Sequence, residues 1–82
     1  MMAACKNDII NWWENGIKLN FSHMMIICDT YDYSDYPLYT NDPQKERNEI
    51  MNDPQMRQIM EVYSYKLDFN MQLNERRTIH YE

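Results

Sequence analysis

The chain has 82 residues and a formal net charge of −5 at pH 7, and 44% of its residues are hydrophobic. This length supports one small core, so a second independent domain is excluded and residues 1–82 are expected to form a single domain. A single glycine excludes a glycine-rich phosphate loop, and the longest apolar run is far shorter than the ~20 residues of a membrane span. The negative charge argues against nucleic acid as a partner, because such binders neutralise phosphates with lysine and arginine.

Residues 1–16 are predicted to form an N-terminal helical segment. Asn7 is a suitable N-cap, and apolar residues then recur at helical spacing. Gly16 favours helix termination, so we expect the helix itself over residues 8–15. A helix this short cannot bury both of its tryptophans on one side. Either the helix is buried widely, or one tryptophan is left for a partner, with Trp12 as the candidate.

Residues 17–40 are predicted to form a β-hairpin. Apolar and polar residues alternate from 17 to 21, which is strand spacing, and the apolar run at 24–28 is typical of a strand buried on both faces. We expect residues 17–28 to form one long strand, or two strands joined by a bend near His23. Residues 36–40 are predicted to form the second strand of the hairpin. Because Pro37 cannot donate to a sheet ladder, this strand should lie at an edge. The simplest pairing is antiparallel.

The remaining segment, 42–78, is predicted to be helical. Asp-Pro pairs at 42–43 and 53–54 each place an aspartate at an N-cap and a proline in the first helical position. Asp68 is a third candidate cap. A stripe at helical spacing follows the second pair: Met56, Ile59, Met60, Tyr63 and Leu67. The predicted fold class is therefore α+β, a small domain in which a hairpin packs against two or three short helices on one sheet face.

Thiols and histidines do not form a recognisable catalytic or metal motif. Cys5 and Cys28 lie far apart in sequence and are interpreted as two reduced thiols, with Cys28 as a small buried hydrophobe. His23 and His80 lack the short paired spacing of zinc ligands. Cys28 and His23 would face opposite sides of a strand and could not cooperate. We therefore expect no enzyme activity, no metal, no cofactor and a cytoplasmic location.

The most distinctive segment lies between Asp29 and Asp42, where four carboxylates and four tyrosines occur without a lysine or arginine. Tyrosine gives a large contact area at low entropic cost, and carboxylates favour a basic partner surface. The alternative interpretation is a solvated loop whose tyrosines cover the sheet. Within this segment, Tyr33 and Tyr36 are the predicted contact anchors. The full candidate surface consists of Asp29, Tyr31, Asp32, Tyr33, Asp35, Tyr36 and Tyr39, together with Trp12.

The segment 24–39 resembles a group of small phage and bacterial proteins. These proteins carry an apolar strand, then Cys-Asp-Thr-aromatic, then an acidic Asp-Tyr-Pro-x-Tyr stretch, and the similarity extends over about residues 21–81. The resemblance implies a phage or prophage accessory gene that acts in the host cytoplasm. Accessory proteins of this kind often bind and block a host factor, including defence proteins. The group has no known activity to transfer.

Three hypotheses for function follow. The leading one is a non-enzymatic, phage-type accessory protein that binds and modulates a host protein through the acidic, tyrosine-rich hairpin. A second is a protein that sequesters a small nucleotide signal, which would require a concave pocket with arginine or lysine donors for phosphate. A third is a structural or assembly protein that self-associates. The exposed aromatics and the small core favour a homodimer over a monomer.

Overall fold

The computed structural model describes residues 5–52 and 56–82. Within these residues the sheet has three antiparallel strands, with the first strand of the chain between the second and the third, which confirms the α+β class. The elements are α1 (Lys6–Leu19), β1 (His23–Asp29), β2 (Ser34–Thr40), α2 (Pro43–Asn52), β3 (Arg57–Ser64) and α3 (Phe69–Leu73). Among the described residues, no helix combines the length and the apolar character needed to cross a membrane.

The first helix is longer than expected, because Gly16 lies in its buried interior and does not end it. Asn20 ends it instead, in the left-handed conformation at φ 62°, and its N–H donates to the carbonyls of Gly16 and Ile17. The prediction of a strand from residue 17 was wrong. Ile17 and Leu19 are 58% and 51% exposed, so their alternation with polar residues does not mark a buried sheet face.

The predicted hairpin is confirmed as β1 and β2, with its first strand beginning at His23. Met24 pairs with Tyr39 and Ile27 pairs with Tyr36 in an antiparallel register. The second strand is at the edge of the sheet, as Pro37 predicts. From His23 to Cys28 every residue is buried, because β1 is the central strand and both of its faces are covered.

The helix predicted after residue 54 was wrong, since residues 57–64 form β3. This strand pairs antiparallel with β1, and Val62 lies opposite Met25. The predicted helix start at Asp53-Pro54 lies outside the described residues. The other two helix starts are confirmed. Asp42 accepts a hydrogen bond from the Lys45 amide (3.1 Å), and Asp68 accepts one from the Met71 amide (2.8 Å).

Helices cover both faces of the sheet, whereas one covered face was expected. One face carries a core formed with α1, and its buried members are Ile9, Trp13, Met24, Ile26 and Tyr63. The other face carries a core formed with α2, and its buried members are Met25, Ile27, Ile50 and Val62. Adjacent residues of β1 alternate between the two cores, which explains why this strand is apolar throughout.

The C-terminal segment extends along the outer edge of β3. Val62 donates to the Thr78 carbonyl (2.8 Å), and the His80 amide donates to the Val62 carbonyl (2.9 Å). Gln72, which is fully buried, holds α3 against the same strand. Its side chain accepts from the Ser64 amide (2.8 Å) and donates to the Ser64 carbonyl (2.9 Å). These bonds position the arginine-containing segment that follows α3.

Candidate functional site

The turn between β1 and β2 is fixed by hydrogen bonds from its own side chains. Asp29 Oδ1 accepts from the Tyr31 amide (2.9 Å). Asp32 Oδ1 accepts from both the amide (3.0 Å) and the hydroxyl (2.7 Å) of Ser34. Tyr33 donates its amide to the Asp29 carbonyl (2.6 Å) and adopts a positive φ of 59°. The aspartates therefore shape the turn as well as charging it.

The tyrosines of the turn project into solvent. Tyr31 is 83% exposed and Tyr33 is 53% exposed. Asp32, between them, is also exposed, and hydrogen bonds from Ser34 lower the pKa of its carboxyl group. We define the hairpin-turn surface as Asp29, Tyr31, Asp32 and Tyr33. It combines two accessible aromatic rings with negative charge on an ordered backbone.

Asp35 lies beyond this surface and faces Cys28 across the hairpin. Burial raises the pKa of the Cys28 thiol, and the hydrogen bond to Asp35 raises it further. Cys28 is therefore held as a neutral thiol and is unsuited to nucleophilic chemistry. Both Cys5 and Cys28 are free thiols, and Cys28 is buried as the sequence indicated.

Three further candidates lie in the body of the fold. Tyr36 is half-buried and packs on the α2 side of the sheet. Tyr39 packs on the α1 side, where its hydroxyl donates to the Trp12 carbonyl (2.7 Å). Trp12 is half-buried against the same core. Tyr39 lies about 17 Å along β2 from the turn, by the rise of a strand. The structure thus groups four of the eight candidates at the turn. Tyr36 lines a groove beside Asp29 and Tyr31, and Tyr39 contacts Trp12 on the α1 side.

The sequence did not reveal a cleft between α2, β3 and the C-terminal segment. Its volume is about 650 Å³, and Arg47, Arg57 and Arg77 contribute to its lining. The remaining described lining residues are Ile50, Met51, Gln58, Ile59, Ile79 and Tyr81. Assigning residues 57–64 to a helix concealed this grouping. One signal was present, since all four arginines of an acidic chain fall after residue 46.

The two histidines serve local structural contacts. His23 is 4% exposed, and its Nδ1 lies 2.7 Å from the Ser22 hydroxyl oxygen. His80 lies between Glu75 (2.5 Å) and Glu82 (3.0 Å). Within residues 5–52 and 56–82, no group of three or more histidine, cysteine or acidic side chains is arranged to hold a metal ion.

Comparison with protein-family models finds no matching family, and comparisons with curated proteins and with solved structures find no match either. The resemblance of residues 24–39 to phage and bacterial accessory proteins stays a prediction. Function is therefore inferred from the geometry of the hairpin-turn surface and of the arginine-lined cleft.

Proposed function

We propose that this is a non-enzymatic protein that binds a partner protein through the hairpin-turn surface. The observation that carries the proposal is the exposure of Tyr31 on a turn held by its own hydrogen bonds. A contact loop that is already ordered loses little conformational freedom on binding, which favours affinity. Tyrosine is also enriched in interfaces, where its ring supplies area and its hydroxyl supplies a hydrogen bond.

Charge indicates the chemistry of the partner. No lysine or arginine occurs between residues 29 and 42, and that segment holds four of the thirteen acidic residues. A partner with a basic surface would be attracted over several ångströms before contact, and complementary charges would then fix its orientation. The exposed carboxylate of Asp32 lies between the two exposed rings in the turn, so attraction and contact would act at the same place.

The resemblance to phage accessory proteins supports a host protein as that partner, met in the host cytoplasm. A small domain that covers a functional surface of a larger protein can inhibit it without any chemistry of its own. Inhibition or modulation of a host factor, including a defence protein, is therefore the role we propose.

Affinity capture from host lysate tests this proposal when a turn variant is compared with a matched surface variant. Tyr31→Ala combined with Asp32→Lys removes an exposed ring and reverses a charge at the turn. Glu14→Lys reverses an exposed charge on α1 and serves as the control. The proposal predicts a host protein captured by the wild type and by Glu14→Lys but lost from the turn variant. Equal capture by all three folded proteins would contradict it.

Self-association is a second candidate, favoured by the edge position of β2. In the part of the chain that the structure describes, no strand pairs with the outer side of β2. This strand contains no lysine, a residue that often protects an edge from pairing, and its Pro37 limits pairing without abolishing it. Two copies joined through β2 would form a continuous six-stranded sheet, which is a common route to a symmetric dimer.

A further inference from the structure

Three of the four arginines of this acidic chain line one cleft. Arg47 comes from α2, Arg57 from β3 and Arg77 from the segment after α3, and all three line the cleft of about 650 Å³. Arg76 and Arg77 line an adjoining cleft of about 430 Å³, which shares Gln58 and Ile59 with the first. Positive charge from three separate elements is thus gathered in a protein whose net charge is −5.

The three arginines of this cleft differ in whether a carboxylate lies close to them. Arg57 stands opposite Asp29 in the sheet register, and both residues line a groove beside the turn. This places a carboxylate close to Arg57. Arg47 is half-buried and Arg77 is exposed, and none of the described residues that line the larger cleft is acidic. Arg47 and Arg77 are therefore the cations best placed to meet an external anion.

The rest of the lining is apolar. Ile50, which is 4% exposed, and the half-buried Ile59 belong to the core on this side of the sheet. Met51 and Ile79 are 66% and 39% exposed at the same cleft. Tyr81 adds an aromatic ring. Exposed apolar side chains beside arginines suit a ligand that carries both an anionic group and an apolar ring.

We propose that this cleft binds a small phosphorylated ligand with a flat ring, of about the size of a nucleoside monophosphate. Arg47 and Arg77 would hold the phosphate, since a guanidinium group presents two parallel N–H donors to a phosphate. The ring would pack on Ile59 and Tyr81. The cleft volume lies within the roughly 300–1,000 Å³ typical of ligand pockets. Arg57 lines both this cleft and the groove beside the turn, but neither Arg47 nor Arg77 lines that groove, so either proposal can fail without the other.

Calorimetric titration of the full chain tests ligand class directly. The probes are the monophosphates of adenosine, guanosine, cytidine and uridine, with the four nucleosides and inorganic phosphate as comparisons. The proposal predicts that at least one monophosphate binds with a Kd below about 1 mM, and at least about tenfold more tightly than its nucleoside or inorganic phosphate. If no monophosphate binds more tightly than inorganic phosphate does, the proposal is overturned.

Arginine variants locate the site. Arg77→Gln and Arg47→Gln should each weaken binding of the preferred monophosphate by about tenfold or more, because each loses a charged hydrogen bond. Arg76→Gln is the matched control, since Arg76 lines only the adjoining cleft. It should change the Kd less than about twofold, and Tyr31→Ala should leave it unchanged. Equal losses in Arg76→Gln and Arg77→Gln would overturn the assignment, with thermal unfolding used to establish that each variant is folded.

Discussion

The Tyr65 hydroxyl group occupies the space that a side-chain carbon on Gly16 would need. A Cβ built on Gly16 would overlap with that oxygen and would lie 2.7 Å from Cε1 of Tyr39. Tyr65 donates to the Trp13 carbonyl (2.9 Å), and Tyr39 donates to the Trp12 carbonyl (2.7 Å). Two tyrosine hydroxyl groups thus donate to adjacent carbonyls of α1, and the absence of a side chain on Gly16 permits the close approach of both rings.

Gly16→Ala should therefore destabilise the protein. Alanine is the better helix former by about 1 kcal/mol, but the methyl group would displace two packed rings, and overpacking usually costs about 1–3 kcal/mol. Urea unfolding should show a lower midpoint for this variant. Asn11→Ala, at an exposed position of the same helix, is the control and should be neutral or stabilising. A Gly16→Ala variant as stable as the wild type would contradict the claim that the Tyr65 and Tyr39 rings leave no room for a side chain at position 16.

The start of α2 allows a test of a single capping bond. Asp42 Oδ1 accepts from the Lys45 amide, so Asp42→Ala should lower the free energy of unfolding by about 1 kcal/mol. Asp42→Asn keeps an accepting oxygen at the same place and should retain most of that stability. Equal losses in the two variants, measured by urea unfolding, would assign the effect to charge and not to capping.

The strand β3 was predicted to be a helix because its apolar residues do not alternate as those of a strand usually do. Ile26 pairs with Glu61 and Ile27 with Ile59, so Met60 is an extra residue at a bulge. The bulge breaks the alternation expected of a strand. Val62 and Tyr63, which follow, are both buried because helices cover both faces of the sheet. The apolar residues of β3 therefore recur at a spacing that resembles that of a helix. The segment is a strand because it pairs with the second edge of the central strand β1.

The candidate sites were predictable to different degrees. Turn-forming aspartates indicated an exposed loop, and Tyr31 and Tyr33 lie there. Local sequence could not show that Tyr39 packs on α1, because that contact depends on how the helix is placed over the sheet. The grouping of Arg47 with Arg77 could not be predicted from the sequence either, since it depends on long-range pairing of β3 and of the C-terminal segment.

His80 should make stability depend on pH above 6.5. Hydrogen bonds to Glu75 and Glu82 raise its pKa above the ordinary 6.5. The folded state then holds the proton more tightly than the unfolded state does. Its contribution to stability is complete below pH 6.5 and is lost as the pH rises through the higher folded pKa. The stability difference between wild type and His80→Gln should therefore shrink from about pH 5.5 to about pH 8.5 in urea unfolding.

His23 provides the opposite case in the same chain. Burial lowers its pKa, and the positive charge of Lys66 lowers it further. Its neutral form is the one that the fold accommodates, so stability is present above pH 6.5 and falls as the pH drops through the lower folded pKa. In an NMR titration, the His80 ring signals should shift above pH 6.5 and the His23 signals below it. If both rings titrate over the same pH range, the opposite pKa shifts assigned to His23 and His80 are wrong.

The edge position of β2 predicts a dimer in solution. One chain has a mass of 10.1 kDa, so light scattering at micromolar concentration should return about twice that value. Ser34→Lys, at the exposed end of this strand, introduces the charge with which natural edges prevent pairing, and it should shift the protein toward monomer. A mass of one chain for the wild type would exclude pairing through this edge at that concentration.

The central claim is that the hairpin-turn surface makes the partner contact, and binding kinetics with the captured host protein test it most directly. Asp32→Lys should slow association, and the effect should shrink at high salt, because exposed charges are screened over about 8–10 Å. Tyr31→Ala should speed dissociation, with a loss of about 1–3 kcal/mol in binding free energy. If both folded variants associate and dissociate as the wild type does, the turn is not the interface.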